Sequence, residues 1–548
     1  MLVIYFRSLP FCAAMRFGIR YFLLSSQIIV AYVCNVLIQM VKEVQDKDNR
    51  PAYGRTIKYL GIFGGAHGLS MLLNMLRTKV ASVLLGVAGQ SIIALSNRTV
   101  QMFSDGTGLS LAFSAVRKIS DTYENGDEAA VERCVKVARS IAFLTGVVGM
   151  LIMLLLTPLI SDWMFEESSA YYMPRIMMLS PVVFFMSVSN GEIAVLRGTR
   201  RLNKMALYTL LTSLISVFIA VPAYFLVGIG GIFPAILITA FLQMCLLLWF
   251  AVPHYKYRVS PFSISLLREG LDMVKMGAGY IFSSIFTSFS MWLVCALLSD
   301  IGDGDTAGLF SAGFMMITIL PGMLFAALDS EFYPRLSGVV SKIEERNGMI
   351  NEQAEVQLLV QSPLLMAFVV AMPLLVPLFY KSDFMPAVAM AQFAMFGMFM
   401  RAMTFPLSFL SLAKNDTLTF VLMEALYNIM FVALIVGGYL YKGLAGVGVG
   451  IALLHVLDFA LVYSVTRFKY GMRLSKNLVL CFMLQMPLFV LAVVAARLPY
   501  DGWLYWFSGI VCVLLSLVVT MYMFSRLSVI PESVSRLAGK IIGVIKRK

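Results

Sequence analysis

Asn97, Arg98, Gln101, Asp105 and Gly108 recur along one side of an otherwise apolar stretch whose other sides carry Ile92, Leu95, Met102 and Phe103. An ionised side chain in hydrocarbon costs at least about 3 kcal/mol. Such a stripe must therefore face another helix or a water-filled cavity. At helical rise Arg98 and Asp105 stand about 10 Å apart, too far for a direct pair, so each needs a partner of its own. Two further stretches repeat the spacing. His67, Ser70, Asn74 and Arg77 follow at i, i+3, i+7 and i+10, and Arg401, Thr404, Ser408 and Ser411 do the same in the second half.

The intramembrane charges are distributed unevenly, with basic groups clustered in the first half and acidic ones mainly in the second, Glu192 of the first half excepted. Arg77, Lys79, Arg98 and Arg175 lie in the first half, whereas Glu424, one turn before Asn428, and Asp458, three residues after His455, lie in the second. Fixed cations in a low-dielectric cavity suit an anionic ligand, and arginine offers a forked, permanently charged donor for phosphate. Carboxylates nearby suit the binding of a proton or a cation. For Lys79, Arg175 and Glu192 the competing account is an interhelical pair or a side chain snorkelling to the interface.

The elements that would position these residues are membrane spans. The chain has 548 residues, 60% of them hydrophobic and only 13% charged, with a mean hydropathy of +0.85. In soluble domains the charged share is about 25%. Apolar runs of about 20 residues recur along the length, and fourteen spans are read between residues 57 and 525. Lys and Arg number 32 in one set of alternating connections and five in the other. The positive-inside rule makes the rich side, with the C-terminus, cytoplasmic. The net charge of +13 thus reflects topology and gives no reason to expect nucleic acid. Seven scattered cysteines and three histidines form no metal-ligand or redox motif. No GxxxxGK[ST] is present to bind ATP, and no nucleophile–base constellation stands out. The expectation is an all-α polytopic membrane protein, not an enzyme, without a cofactor beyond an H+ or Na+ at the carboxylates.

GIGGI (228–232) and GLAGV (443–447) open the sixth and twelfth spans at a numbering offset of 215, and weaker matches lie at 216 and near 218. A repeat of six spans keeps its orientation, so the expected fold is two pseudo-symmetric six-helix lobes about a central cavity, with two further C-terminal spans. The lobes are bounded at 57–253 and 276–466, joined by a linker at 254–275. Spans at 467–525 follow, and then a basic amphipathic tail at 526–548. Residues 1–56 form a leader and a polar segment. For residues 1–39 an in-plane helix, an extra span and sequence upstream of a start at Met40 compete, and the last is favoured.

RTKVASVLLGVAGQSIIALSNRTVQMFSDGTGLSLAFSAVRKISDTYENGD (77–127), FAALDSEFYPRLS (325–337), LAKNDTLTFVLMEALYN (412–428) and GLAGVGVGIALLHVLDFALVYSVTRFKYGMRL (443–474) carry a family likeness. In this order they resemble flippases of the multidrug/oligosaccharidyl-lipid/polysaccharide (MOP) exporter superfamily, closest to O-antigen translocases of the Wzx type. That resemblance implies a cationic cavity between two lobes, and a polyprenyl-pyrophosphate-linked oligosaccharide moved across the bacterial inner membrane by alternating access. It implies membrane lipids and glycan assembly proteins such as a polymerase as partners, and coupling to an ion gradient. By position Arg98, Arg77 and Arg401 are the first candidates for the cargo's pyrophosphate, with Lys79, Arg175, Gln101 and Asn74 beside them. Asp105, Glu424 and Asp458 are the candidates for coupling. A multidrug or cation antiporter of the same superfamily and a flippase of the lipid II type are the alternatives. An antiporter for organic cations would be expected to have an acidic or aromatic cavity.

Overall fold

A computed structural model of the chain describes residues 52–109, 111–165, 169–260, 263, 266, 268–270, 278–329 and 332–527. The leader with Met40, residues 271–275 at the end of the interlobe linker and nearly all of the basic tail lie outside the described residues. Every regular element described is helical: α1 (Ala52–Thr107), α2 (Leu111–Glu124), α3 (Glu128–Phe165), α4 (Ser169–Met177), α5 (Ser180–Gly198), α6 (Leu202–Val227) and α7 (Ile232–Ala251). There follow α8 (Ala278–Ile301), α9 (Thr306–Asp329), α10 (Phe332–Val339), α11 (Ile343–Phe379), α12 (Pro386–Ala413), α13 (Thr417–Tyr470), α14 (Lys476–Ala495) and α15 (Trp503–Leu527).

Two of these helices are each a hairpin of two spans. At Gly86 the backbone of α1 takes φ 66°, a left-handed value that glycine adopts at no steric cost. The Gln90 amide then donates to the carbonyl of Thr78 at 3.2 Å. In a straight helix those two residues would be about 18 Å apart along the axis, so the chain has doubled back. In α13 the reversal is at Lys442–Gly443. There the limbs touch so closely that a Cβ on Gly438 would collide with the Gly446 carbonyl oxygen, and one on Gly450 with that of Leu434. The turn Gly228–Gly231 joins α6 to α7 in the same manner. With α4 and α5 sharing one crossing and α2 and α10, at 14 and 8 residues, too short to cross, the described helices make fourteen spans by length and composition. Leu155, Leu226 and Phe468 face outward, as the bilayer allows.

The first break falls later than the hydropathy pattern suggests. Hydropathy divides the first two spans at residues 77–89, which would leave Arg77 and Lys79 in a connection at the span edge, but the helix runs unbroken through both to Gly86. The residues between, VASVLL, are apolar but for Ser82 and have no reason to leave the helix. The second limb also ends earlier, at Thr107, and Leu111–Glu124 forms a separate helix.

The repeat keeps a single register along its latter two-thirds. Starts at Glu128 and Ile343, ends at Gly198 and Ala413, and starts at Leu202 and Thr417 all share the numbering offset of 215. So do the left-handed residues Arg200 and Asn415, Gly228 and Gly443, and the intrahelical prolines Pro158 and Pro373. The sequence matches at 216 and 218 were out of step with this register. Helices α1–α7 form the first lobe and α8–α13 the second. The second limb of α1 packs against α8 and α9 and is the main seam between them. The last two spans lie on α11 of the second lobe. Thr520 donates to the Leu359 carbonyl at 2.9 Å, and Gln485 bonds to Ser516 and Thr520.

Candidate functional site

The arginine-rich loops gather at one end of the bundle, here the basic end, and the Gly86, Gly228 and Gly443 turns at the opposite end. Between the lobes lies a cavity of about 410 Å³. Arg98 and Arg401 line it together with Glu424, Asn428, His455 and Asp458. Arg98 comes from the second limb of α1, Arg401 from α12, and the other four from the two limbs of α13. Arg401 and Asp458 each sit 12 residues before their helix ends at Ala413 and Tyr470, a depth of about 18 Å. Both are therefore well inside the hydrocarbon layer.

The second lobe supplies most of this wall. Thr404 and Ser408 continue the Arg401 stripe along the cavity, so that stripe does face an open space. Ser283 of α8 donates to Glu424 at 3.1 Å, and Asn428 donates to the Glu424 carbonyl at 2.8 Å. The Arg401 guanidinium lies 5.7 Å from the Phe405 ring. His455 is buried, its ring tilted by 42° against that of Tyr427 with centroids 6.0 Å apart, and its Nδ1 has no hydrogen-bond partner among the described residues. Two arginines meet two carboxylates here, whereas the family likeness implies a cationic chamber. Five aromatic rings, Phe314, Phe405, Phe420, Tyr427 and Phe431, complete it.

The other sequence candidates lie elsewhere. Asn74 donates to Ser213 at 3.5 Å and Arg77 to Ser216 at 2.7 Å, while Ser70 and Ser213 share a short hydrogen bond. The first-span stripe is thus a seam between α1 and α6 inside the first lobe. Gln101 donates to Asp105 at 2.8 Å, and Ser288 of α8 donates to the same carboxylate oxygen. Together they join the lobes on the basic side of the cavity. Arg175 folds back onto Tyr171, 3.5 Å from its ring, and donates to its carbonyl.

Lys79 crosses between the lobes towards the opposite end. Its ammonium donates to the Pro377 carbonyl at 2.5 Å and to that of Tyr380, at the C-terminus of α11, where exposed carbonyls favour a cation. Nearby contacts also close this half of the seam. Gly308 N donates to Ser91 Oγ at 2.7 Å, Trp292 Nε1 to Thr99 at 3.1 Å, and the Trp163 and Trp292 rings meet edge to face at 5.2 Å.

Residues 127–389 match the family described as "Polysaccharide biosynthesis protein". No curated protein matches the chain. Three solved structures share its architecture. A lipid II flippase, MurJ, in an inward closed conformation superposes with a TM-score of 0.66 at 13% identity, over 85% of this chain and 99% of that one. An inward-facing multidrug resistance MATE transporter of the MOP superfamily gives 0.60 at 16%, over 73% and 94%. A mutant of the Vibrio cholerae MATE transporter VcmN gives 0.56 at 14%, over 76% and 97%. The chain shares the fold of these transporters.

Glu192 is held in an interhelical ion pair, the competing account given for it above, but its partner Arg139 is a residue the sequence reading left among the loop cations. Arg139 makes a two-pronged pair with Glu192, Nε to Oε1 at 2.7 Å and Nη2 to Oε2 at 2.8 Å, both side chains 1% exposed. Its remaining nitrogen donates to the carbonyls of Tyr255 and Lys256, each at 2.9 Å, tying the chain after α7 to the first lobe. Arg346 of the second lobe reaches the Tyr470 carbonyl at 2.7 Å, and Tyr470 is the counterpart of Tyr255 in the repeat register. Arg139 was counted among loop cations because charge at a span boundary reads as topology. Only its place directly before the uncharged run that begins at Ser140 could have flagged it.

Proposed function

We propose that the chain flips a polyprenyl-diphosphate-linked oligosaccharide across the bacterial inner membrane by alternating access. The carrying observation is that Arg98 and Arg401, from opposite lobes, line one cavity. A diphosphate bound there would bridge the lobes through charge-assisted hydrogen bonds, and its presence would decide how closely they approach. Before cargo enters, Glu424 and Asp458 balance the two arginines. Cargo would displace them, leaving the carboxylates to take up H+ or Na+, which is the coupling we expect. The 32-to-5 distribution of basic residues puts the basic end in the cytoplasm. The contacts of Lys79, Ser91 and Trp163 then close the outer end, and the cavity is poised for cargo from the inside. The match of residues 127–389 to a polysaccharide biosynthesis family supports this cargo class. The arginines carry none of the bond-making chemistry of an enzyme and serve only to hold and release.

The aromatic rings and two carboxylates of the cavity favour a second reading, an antiporter for organic cations. Deleting the protein separates the two. Flipping predicts lipid-linked oligosaccharide retained in the inner leaflet and loss of surface glycan. Loss of dye resistance with unchanged glycan would establish the antiporter instead. Arg98→Ala should reproduce the glycan defect at normal protein level.

A further inference from the structure

A second cavity, of about 420 Å³, lies apart from the first at the basic end of the first lobe. It opens where the start of α3 meets the chain following α7. Arg133, Lys136, Lys256 and Arg258 line it, with Glu132 as the lining carboxylate and Val135 and Leu266 on the core side. Arg258 pairs with Glu132 at 3.2 Å, and Arg133 pairs with Glu269. Both pairs are open to solvent, at 40% exposure or more on every partner, and pairs of that kind hold weakly. The ammonium groups of Lys136 and Lys256 have no partner among the described residues. Four cations facing one space repel one another unless an anion joins them.

The walls are preformed. Arg139 fixes the carbonyls of Tyr255 and Lys256, Ser260 N donates to Ser140 Oγ at 3.0 Å, and Gly270 lies against Ile141. The second lobe provides an internal control, because its fold is the same and its chemistry is not. The repeat register puts Gly348, Asn351, Gly471 and Arg473 at the corresponding positions. There Asn351 donates to the Arg473 carbonyl at 2.9 Å and accepts from Ser475 N at 2.9 Å, knitting the same corner together without a cationic cluster. The fold therefore does not require cations at this corner. The uncharged stretch of α3 begins at Ser140, one turn from Lys136, which puts the cluster at headgroup level.

We propose that this pocket is a phosphate site, occupied by the headgroup of an anionic phospholipid and separate from the cargo cavity. The lipid phosphate lies between Lys136 and Lys256, while Arg133 and Arg258 exchange their exposed carboxylate partners for it. The lipid thereby clamps the interlobe chain to α3.

The test uses the full-length protein in neutral detergent, titrated with phosphatidylglycerol, phosphatidylcholine or inorganic phosphate and read by native mass spectrometry and by Tm. Phosphatidylglycerol should bind the wild type and raise its Tm, and phosphatidylcholine should do neither. The double variant K136Q/K256Q should bind at least about ten-fold more weakly, with an unchanged Tm in lipid-free detergent. R473Q, the second-lobe counterpart, should bind as the wild type does. If inorganic phosphate gives the same protection and the double variant loses it, the phosphate site stands with free phosphate as its occupant. Equal binding by the wild type and the double variant overturns the site. So does an equal loss in R473Q, which would mean general charge attraction.

Discussion

Along the first limb of α1, Ser70, Asn74 and Arg77 follow one another at helical spacing, as Arg401, Thr404 and Ser408 do along α12. The α1 set is absorbed by Ser213 and Ser216 of the neighbouring helix. The α12 set faces Glu424 and Asp458 across a gap. Lipid forces both stripes to find polar surroundings. Whether those are a helix or a cavity depends on how near the facing helix comes. In the first lobe α6 brings Ser213 and Ser216 close enough for direct hydrogen bonds. In the second, aromatic side chains on α13 hold the wall away, and the polar groups border a space that water or cargo can enter. Arg139 and Glu192 are the limiting case of the closed kind, a charge pair sealed within one lobe.

That contrast can be broken by mutation, and the largest effect should come from the closed pair. Arg139→Ala leaves Glu192 buried without a counter-charge, which typically costs about 3–5 kcal/mol. The expected result is loss of folded protein in detergent, with R139L/E192L recovering much of it. A single variant that stays fully folded would show that the pair is solvated. Arg401→Ala should behave in the opposite way. Removing one arm of a buried phosphate contact costs about 2–5 kcal/mol, so transport should fall about 30-fold or more at normal protein levels. Arg77→Ala, from the matched stripe, should keep transport within about three-fold and cost about 1 kcal/mol of stability for its lost hydrogen bond. Equal transport defects in the two variants would erase the distinction between seam and cavity.

Lys79 tests the seam between the lobes. Lys79→Met removes a cation from two helix-terminal carbonyls, an interaction of about 1.5–3 kcal/mol. Spin labels at positions 162 and 381 should then show a longer distance population, and an unchanged distribution would take Lys79 out of the closure. The smallest effect is expected at Asp416, the N-cap of α13, which accepts from Thr419 N at 3.2 Å. The Lys469 ammonium beside it, and then the Tyr470 hydroxyl, hold its carboxyl well below the usual aspartate range. A depressed pKa contributes stability above the unfolded value of about 3.9 and loses it as pH falls through the lower folded value. Asp416→Ala should cost about 1 kcal/mol at neutral pH, a difference that narrows in acid. A constant difference from pH 7 to the lowest pH the protein tolerates would leave only a neutral cap.

The membrane class, the fourteen spans, the sign of each end and the repeat were all legible in the residues. Each rests on a one-dimensional pattern, such as apolar length, alternating basic loops or the recurrence of GIGGI as GLAGV. Arg98, Arg401, Glu424 and Asp458, which line the cavity, could be singled out as well, because charge deep in an apolar run has few structural excuses. The partners were not. Arg77 and Arg401 resemble each other in sequence, since helical spacing records which residues share a face and not what that face meets. Lys79 and Arg139 sit at span boundaries, where a cation ordinarily reports orientation alone. Their bonds run to backbone carbonyls of residues far along the chain, Pro377 and Tyr380 for one and Tyr255 and Lys256 for the other. A carbonyl has no side-chain signature, so no pattern of residue types announces that contact. By itself the sequence determined which groups lipid would not tolerate. Only the packing of two similar lobes decided which were satisfied by protein and which were left facing a cavity.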